Sequence, residues 1–246
     1  MDGTLQELTD WRPRLRPARV TLAGFYCRLE PLDPLRHGDH LFDASMAPNA
    51  EDRFRYLADS PQGRAGFEGW LARASASEDP LFYAVVDRSS GRCEGRQGFL
   101  RITPEHGVLE VGHILWGPAI ARTRVATEAL FLFARYAFDE LGYRRLEWKC
   151  DAGNQPSMRS ARRFGFAYEG TFRQHMVVKG RSRDTAWFAM VDADWPSIRE
   201  AFERWLAPGN FDQRGQQKAR LAHFMRGRPS KRRAVAQRHP DRRRNR

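Results

Sequence analysis

Apolar and polar positions along the chain follow one period, then another. From Arg19 to Leu32 (RVTLAGFYCRLEPL) the β-branched and aromatic residues predict a first strand, ended by Pro31 and Pro34. Leu35 to Ser77 reads as short helices broken at Pro48, Pro61 and Gly63. Within it Phe67, Trp70 and Leu71 recur at helical spacing and predict an apolar face packed on a sheet. Three strands are then expected, at Leu81–Val86, Gly95–Ile102 and Val108–Trp116. The turns between them, Ser89-Ser90-Gly91 and Pro104-Glu105-His106-Gly107, punctuate antiparallel hairpins.

After Gly117-Pro118 the period lengthens. Ala126, Leu130, Phe133, Ala137 and Leu141 fall on one face of an amphipathic helix, which Gly142 stops. A strand follows at Arg145–Cys150. A second helix has Asn154 as its N-cap and Gly165 as its stop. Strands at Ala167–Val178 and Arg183–Asp192 join across Lys179-Gly180-Arg181. A last helix opens at Asp194-Trp195-Pro196 and ends at Pro208-Gly209. The order β, helices, βββ, α, β, α, ββ, α predicts an α/β fold: a mixed, mostly antiparallel sheet with helices on both faces.

Charge divides the chain more sharply than hydrophobicity does. The net charge is +12, but ten of the 42 basic residues lie between Arg226 and Arg246, against a single acid, Asp241, so residues 1–225 carry only +3. Residues 1–18 read as an irregular lead-in, 19–212 as the folded domain and 213–246 as a basic, disordered tail. The tail is suited at most to weak, nonspecific nucleic-acid contact. No stretch approaches the roughly 20 apolar residues of a membrane span, and no secretory signal opens the chain. Cys27, Cys93 and Cys150 form no CxxC or Cys/His cluster. Neither a disulfide framework nor a metal site is expected, and a reducing, cytoplasmic setting fits.

Candidate chemistry gathers at the strand–loop–helix junction between Val108 and Leu141. A helix start leaves about four backbone N–H groups unpaired, and with the helix dipole they form an anion site suited to a diphosphate. Here that start carries Arg122, Thr123, Arg124, Val125, Ala126 and Thr127. The alternative is an ordinary helix start whose arginines face water.

Several segments from Val111 to Leu206 together resemble the GNAT superfamily of N-acetyltransferases, in the branch of the ribosomal-protein alanine N-acetyltransferases. They are Ala121-Arg122-Thr123-Arg124-Val125-Ala126, Leu146-Glu147-Trp148-Lys149-Cys150-Asp151, Asn154-Gln155-Pro156-Ser157, Arg163-Phe164-Gly165-Phe166, Glu169-Gly170-Thr171-Phe172-Arg173 and Gly180-Arg181-Ser182-Arg183-Asp184-Thr185-Ala186-Trp187. The likeness extends more weakly back to Arg19. Ala121 and Arg124 depart from the Q/R-x-x-G-x-G/A pattern of the family's acyl-CoA loop.

The resemblance implies acetyl-CoA as co-substrate and a primary amine as acceptor, either a protein N-terminus or a small molecule, acetylated by direct attack in a ternary complex. It implies the cofactor at residues 122–127 and at Asn154, Ser157 as the proton donor to the leaving thiolate, and Glu169 as the base. An amine attacks only when neutral, so a carboxylate near the acetyl carbon has a clear task. Glu110 is the second candidate for it and Asp184 the third. Asn154 and Ser157 are also explained as an N-cap and third residue of a helix. His113, His175 and Cys150 read as packing or rim residues. The altered loop and the basic tail motivate a rival: an inactive acetyltransferase fold that binds RNA or the ribosome.

Overall fold

The computed structural model describes residues 7–225. The strands and helices, in chain order, begin with β1 (Leu22–Ala23), β2 (Cys27–Pro31), α1 (Pro34–Met46), α2 (Ala50–Phe54) and α3 (Arg64–Ala76). Then come β3 (Leu81–Asp87), β4 (Cys93–Thr103), β5 (Val108–Trp116), α4 (Arg124–Arg135), β6 (Arg145–Asp151) and α5 (Gln155–Arg163). The chain continues with β7 (Ala167–Val178), β8 (Arg181–Val191), α6 (Trp195–Leu206) and a short α7 (Leu221–Phe224). The strands form one sheet in the order β1-β2-β3-β4-β5-β6-β8-β7. Every neighbouring pair is antiparallel except β5 and β6.

Alternation along the strands divides the core between two faces. Phe82, Ala84 and Val86 of β3 pack with Leu41 of α1 and with Phe67 and Leu71 of α3. Tyr83 and Phe99 turn the other way, against Phe133 of α4, within a larger cluster that includes Ile198 and Phe202 of α6. The expected α/β architecture, helices on both faces of a mixed sheet, is the one observed. No helix among the described residues is long and apolar enough to cross a membrane.

Three local expectations change. The strand expected from Arg19 to Leu32 breaks into β1 and β2 because a buried carboxylate organises the turn between them. Glu128 of α4 accepts the backbone N–H groups of Phe25, Tyr26 and Cys27 at 2.8, 2.6 and 2.7 Å. A Cβ on Gly24 would lie 2.4 Å from that carboxyl carbon, so the turn requires glycine. The helix expected to run to Leu141 is α-helical only to Arg135. Tyr136–Glu140 then widen into a π-turn, with the Leu141 N–H bonded to the Tyr136 carbonyl at 3.0 Å, before Gly142 turns at φ +67°.

The third change concerns the tail. Residues 213–225 pack onto the domain rather than extending into solvent. Leu221 is buried, Phe224 and Met225 rest against the main cluster, and Trp205 Nε1 donates to Gln217 Oε1 at 2.9 Å. These apolar side chains, few in a polar stretch, supply the contact that the basic composition concealed. The rest of the expected tail lies outside the described residues.

The middle of the sheet carries a buried arginine. Arg96 of β4 is 1 % exposed, ion-paired with Asp59 at 2.5 Å, and lies over the Trp70 ring at 4.4 Å. Its Nη1 also donates to the His113 carbonyl at 3.3 Å, where β5 takes a left-handed turn (φ +51°) and the β4–β5 register shifts. Burial, reinforced by the Arg96 charge, pushes the His113 imidazole down to about 4. The folded state therefore binds fewer protons than the unfolded chain between about pH 4 and 6.5.

Two outcomes are expected. Glu128→Ala strands three amides at once and should cost about 3–5 kcal/mol in denaturant unfolding. A loss under about 1 kcal/mol would mean that the carboxylate does not organise the turn. For His113 the sign of the linkage makes stability drop as the pH is lowered, by about 2 kcal/mol between pH 7 and 5. The same titration on His113→Gln should show that component of the slope removed.

Candidate active site

β5 and β6 pair in parallel over only four residues, from Val108 opposite Arg145 to Val111 opposite Trp148. Beyond that point β5 continues to Trp116 beside β4 alone, and β6 continues to Asp151 beside β8. The strands part like the arms of a V. An open cleft of about 320 Å³ occupies the gap, lined by Glu110, Gly112 and His113 on one arm and by Trp148, Lys149 and Cys150 on the other. Arg53, at the end of α2, and Tyr56 beyond it close over the cleft. Tyr56 Oη donates to the Gly153 carbonyl at 3.2 Å, and Lys179 Nζ to the Phe54 carbonyl at 3.0 Å.

Because β5 and β6 run parallel, the helices after them both start at the open end of the V. Between β5 and α4 the chain turns at Arg122 (φ +65°), and Thr123 caps α4, its Oγ1 accepting from the Val125 N–H at 3.2 Å. The amides of Arg124 and Ala126 meet no acceptor among the described residues. Val125, Ala126 and Thr127 are buried, and Thr127 Oγ1 accepts from Arg163 Nη1 at 3.1 Å, tying the end of α5 to the first turn of α4. Arg124, one of the residues assigned to the anion site, turns its side chain onto aromatic rings. Its guanidinium lies over the rings of Tyr26, at 4.4 Å, and Phe211, at 5.2 Å. The groups that the first turn of α4 leaves without a partner are main-chain N–H.

At α5 the capping and the cleft-facing roles coincide. Asn154 Oδ1 accepts the Ser157 N–H at 3.1 Å, and Ser157 Oγ accepts Trp148 Nε1 at 2.9 Å. Both residues line the cleft beside Cys150. Burial pushes the Cys150 thiol up, and its hydrogen bond with Ser157 only partly opposes this.

The carboxylates sort by position along β6. Glu110 is 3 % exposed; its Oε2 meets Lys149 Nζ at 3.1 Å and Arg101 Nε at 2.7 Å, while its Oε1 faces Gly112. Lys149 Nζ also meets Glu147 at 2.7 Å and stands 3.6 Å above the Trp187 ring. Burial alone would raise the Glu147 carboxyl, but Lys149 and Arg145 outweigh it and hold the group below its usual value.

Glu169, the first choice for the base, is not in the cleft. Both its oxygens are taken by Arg145, at 3.0 and 2.6 Å. A bulge between Tyr168 and Gly170 sets it beside the start of β6, where β5 and β6 are still paired. That is the closed end of the V. Asp184 is also outside the cleft and accepts the Gln174 N–H at 2.7 Å.

Several cleft residues are not evident from sequence. Lys149 carries a legible signal, since Arg145, Glu147 and Lys149 alternate with Leu146, Trp148 and Cys150. That is one charged and one apolar face on a central strand. Arg53 and Tyr56 lie at and beyond the end of a five-residue helix and carry none. His113, expected as a packing residue, does pack, its ring 5.1 Å from that of Phe82, but it also lines the cleft. Among the described residues no group of His, Cys, Asp or Glu is arranged to hold a metal ion.

Comparison with known proteins bears on this architecture directly. The family profile described as "Acetyltransferase (GNAT) domain" matches residues 28–167. A crystal structure of a GCN5-related N-acetyltransferase from Brucella melitensis shares 55 % identity at a TM-score of 0.88, covering 89 % of this chain and all of that one. A probable GNAT-family acetyltransferase from Chromobacterium violaceum shares 40 % identity at a TM-score of 0.73, covering 80 % and 98 %. An uncharacterized N-acetyltransferase, p20, from Bacillus licheniformis is 27 % identical over 117 residues; the match spans 46 % of this chain and 63 % of that protein, under two thirds of its length. With the profile spanning more than half its residues, the chain belongs to the GNAT family of N-acetyltransferases.

Proposed function

We propose that the protein transfers an acetyl group from acetyl-CoA to a primary amine by direct attack, with the reaction centred where β5 and β6 part. The observation that carries this is the parting itself: a cleft between two strand edges, lined by Asn154 and Ser157 at the start of α5 and with a buried carboxylate at its apex. Bound there, acetyl-CoA supplies an activated acyl carbon with a thiolate leaving group. The amides of Arg124 and Ala126 suit its diphosphate, and the free edge of β5 beyond Val111 suits the amide-bearing arm and the acyl oxygen.

The chain's own groups have distinct tasks in this reading. Glu110 takes a proton from the incoming ammonium through water, using the oxygen that neither Arg101 nor Lys149 holds. The nitrogen lone pair then forms the C–N bond and the C–S bond breaks; the Ser157 hydroxyl hands the departing sulfur its proton and regains one from the second N–H, relayed through water, which leaves a neutral amide, a thiol and an unchanged serine. His113, unprotonated at neutral pH, adds no charge beside the acceptor. A covalent route through Cys150 is disfavoured because burial keeps its thiol protonated. No observation among the described residues favours the rival reading of an inactive, RNA-binding fold, whose basic tail lies outside them.

Glu110→Gln should lower acetyl transfer about 100-fold or more while leaving acetyl-CoA affinity by calorimetry unchanged, the range for removing a general base. Glu169→Gln should stay close to wild type. The opposite pattern would return the base to Glu169, and failure of the wild-type protein to bind acetyl-CoA would end the transferase reading.

A further inference from the structure

The charges lining the cleft do not balance. Four cations face it (Arg53, Arg101, Lys149 and Arg183) with two carboxylates, Glu110 and Asp151. Arg101 and Lys149 are already spent on Glu110. Arg183 makes no ion pair among the described residues, and its Nε is buried without a hydrogen-bond partner. Among the described residues Arg53 donates only to the carbonyls of Ser45, Ala47 and Pro48, and its buried Nε likewise meets no partner among them. Asp151 accepts the Gly153 N–H at 2.7 Å and meets no cation among the described residues. The cleft thus holds two guanidinium groups without a counter-charge and one carboxylate without a cation.

A buried donor left without an acceptor is costly, and a guanidinium fork fits the paired oxygens of a carboxylate or phosphate. Arg183 stands on the same face of β8 as Thr185 and Trp187, the face shared with Lys149. Its charge therefore lies on the acceptor side of the sheet rather than with the helix starts. The last residue of α2 and Tyr56 beyond it are bonded to the β7–β8 turn and to the β6–α5 loop. A polycationic acceptor would face two uncompensated positive charges.

From this we infer that the acceptor is a small zwitterionic amine, whose oxyanion is held by Arg183 with Arg53 and whose ammonium is drawn to Asp151 and Glu110. The inference rests on the acetyl-transfer reading and narrows its substrate class.

The test uses matched acceptors: leucine against leucinamide, O-phosphoethanolamine against ethanolamine, and a lysine-rich peptide with a free N-terminus. Thiol release and acetylated product are both measured. The acid-bearing member of at least one pair should exceed its neutral partner about tenfold or more in kcat/KM, and the better pair says whether carboxylate or phosphate is read. Arg183→Gln should bring that ratio close to one with acetyl-CoA affinity kept, and Arg183→Lys should restore part of it. Equal rates within both pairs, or a best rate with the basic peptide, would overturn the proposal.

A readout independent of turnover is calorimetric binding of N-acetylleucine and N-acetylleucinamide with CoA present, and of phosphoethanolamine against ethanolamine. About tenfold tighter binding of the anionic member of either pair is expected. Absence of any preference while acetyl-CoA still binds would refute the zwitterion and leave the transferase reading standing. Loss of acetyl-CoA binding itself would refute the latter.

Discussion

The molecule is organised around the point where two parallel strands stop pairing. Up to Val111 and Trp148 the backbones of β5 and β6 satisfy each other; past it, each has a neighbour on one side only. A sheet does not split in its middle without cause, because unpaired strand edges are costly unless something else meets them. Two features hold the split open. On one side the left-handed residue at His113, held through its carbonyl by the buried Arg96, swings β5 toward β4. On the other, β6 stays in register with β8 along its full length, to Asp151 opposite Thr185. The Glu110–Lys149 pair bridges the arms at the apex.

That pair belongs to a longer chain of charge across one face of the sheet. Arg101, Glu110, Lys149, Glu147, Arg145 and Glu169 stand in successive contact, cation and anion in turn, from β4 to β7. Burying any one of these ions alone would carry a heavy desolvation penalty, and alternation lets each inner member face two of opposite sign. Glu169 ends the row at the sheet's outer strand. Its place there is electrostatic, fixed by the pair with Arg145.

Most of the architecture was legible because it rests on period and punctuation. The hairpin joining β7 and β8 turns at Lys179 and Gly180, both with positive φ, as the Lys-Gly pair suggested. Asn154 was legible as a cap, and the cap also places Ser157. Illegible were features set by contacts distant in sequence. A strand breaks at Gly24 because of a carboxylate about a hundred residues away, and Glu169 sits at a bulge of the edge strand, tied to Arg145 of β6. The order in residues 213–225 hangs on Leu221 and its neighbours, too few to outweigh a polar composition on inspection.

At the entrance of α4 the main chain and the side chains have separate duties. The Arg124 guanidinium clasps Tyr26 and Phe211 and so fastens the chain after α6 to the opening of the helix, while the amides left without an acceptor there belong to the backbone. Backbone groups survive exchange of the residue that carries them. A change of side chain at positions 121–124 that keeps this turn leaves those amides where they are. A missing glycine signature in such a loop is then a poor criterion for judging a homologue defunct.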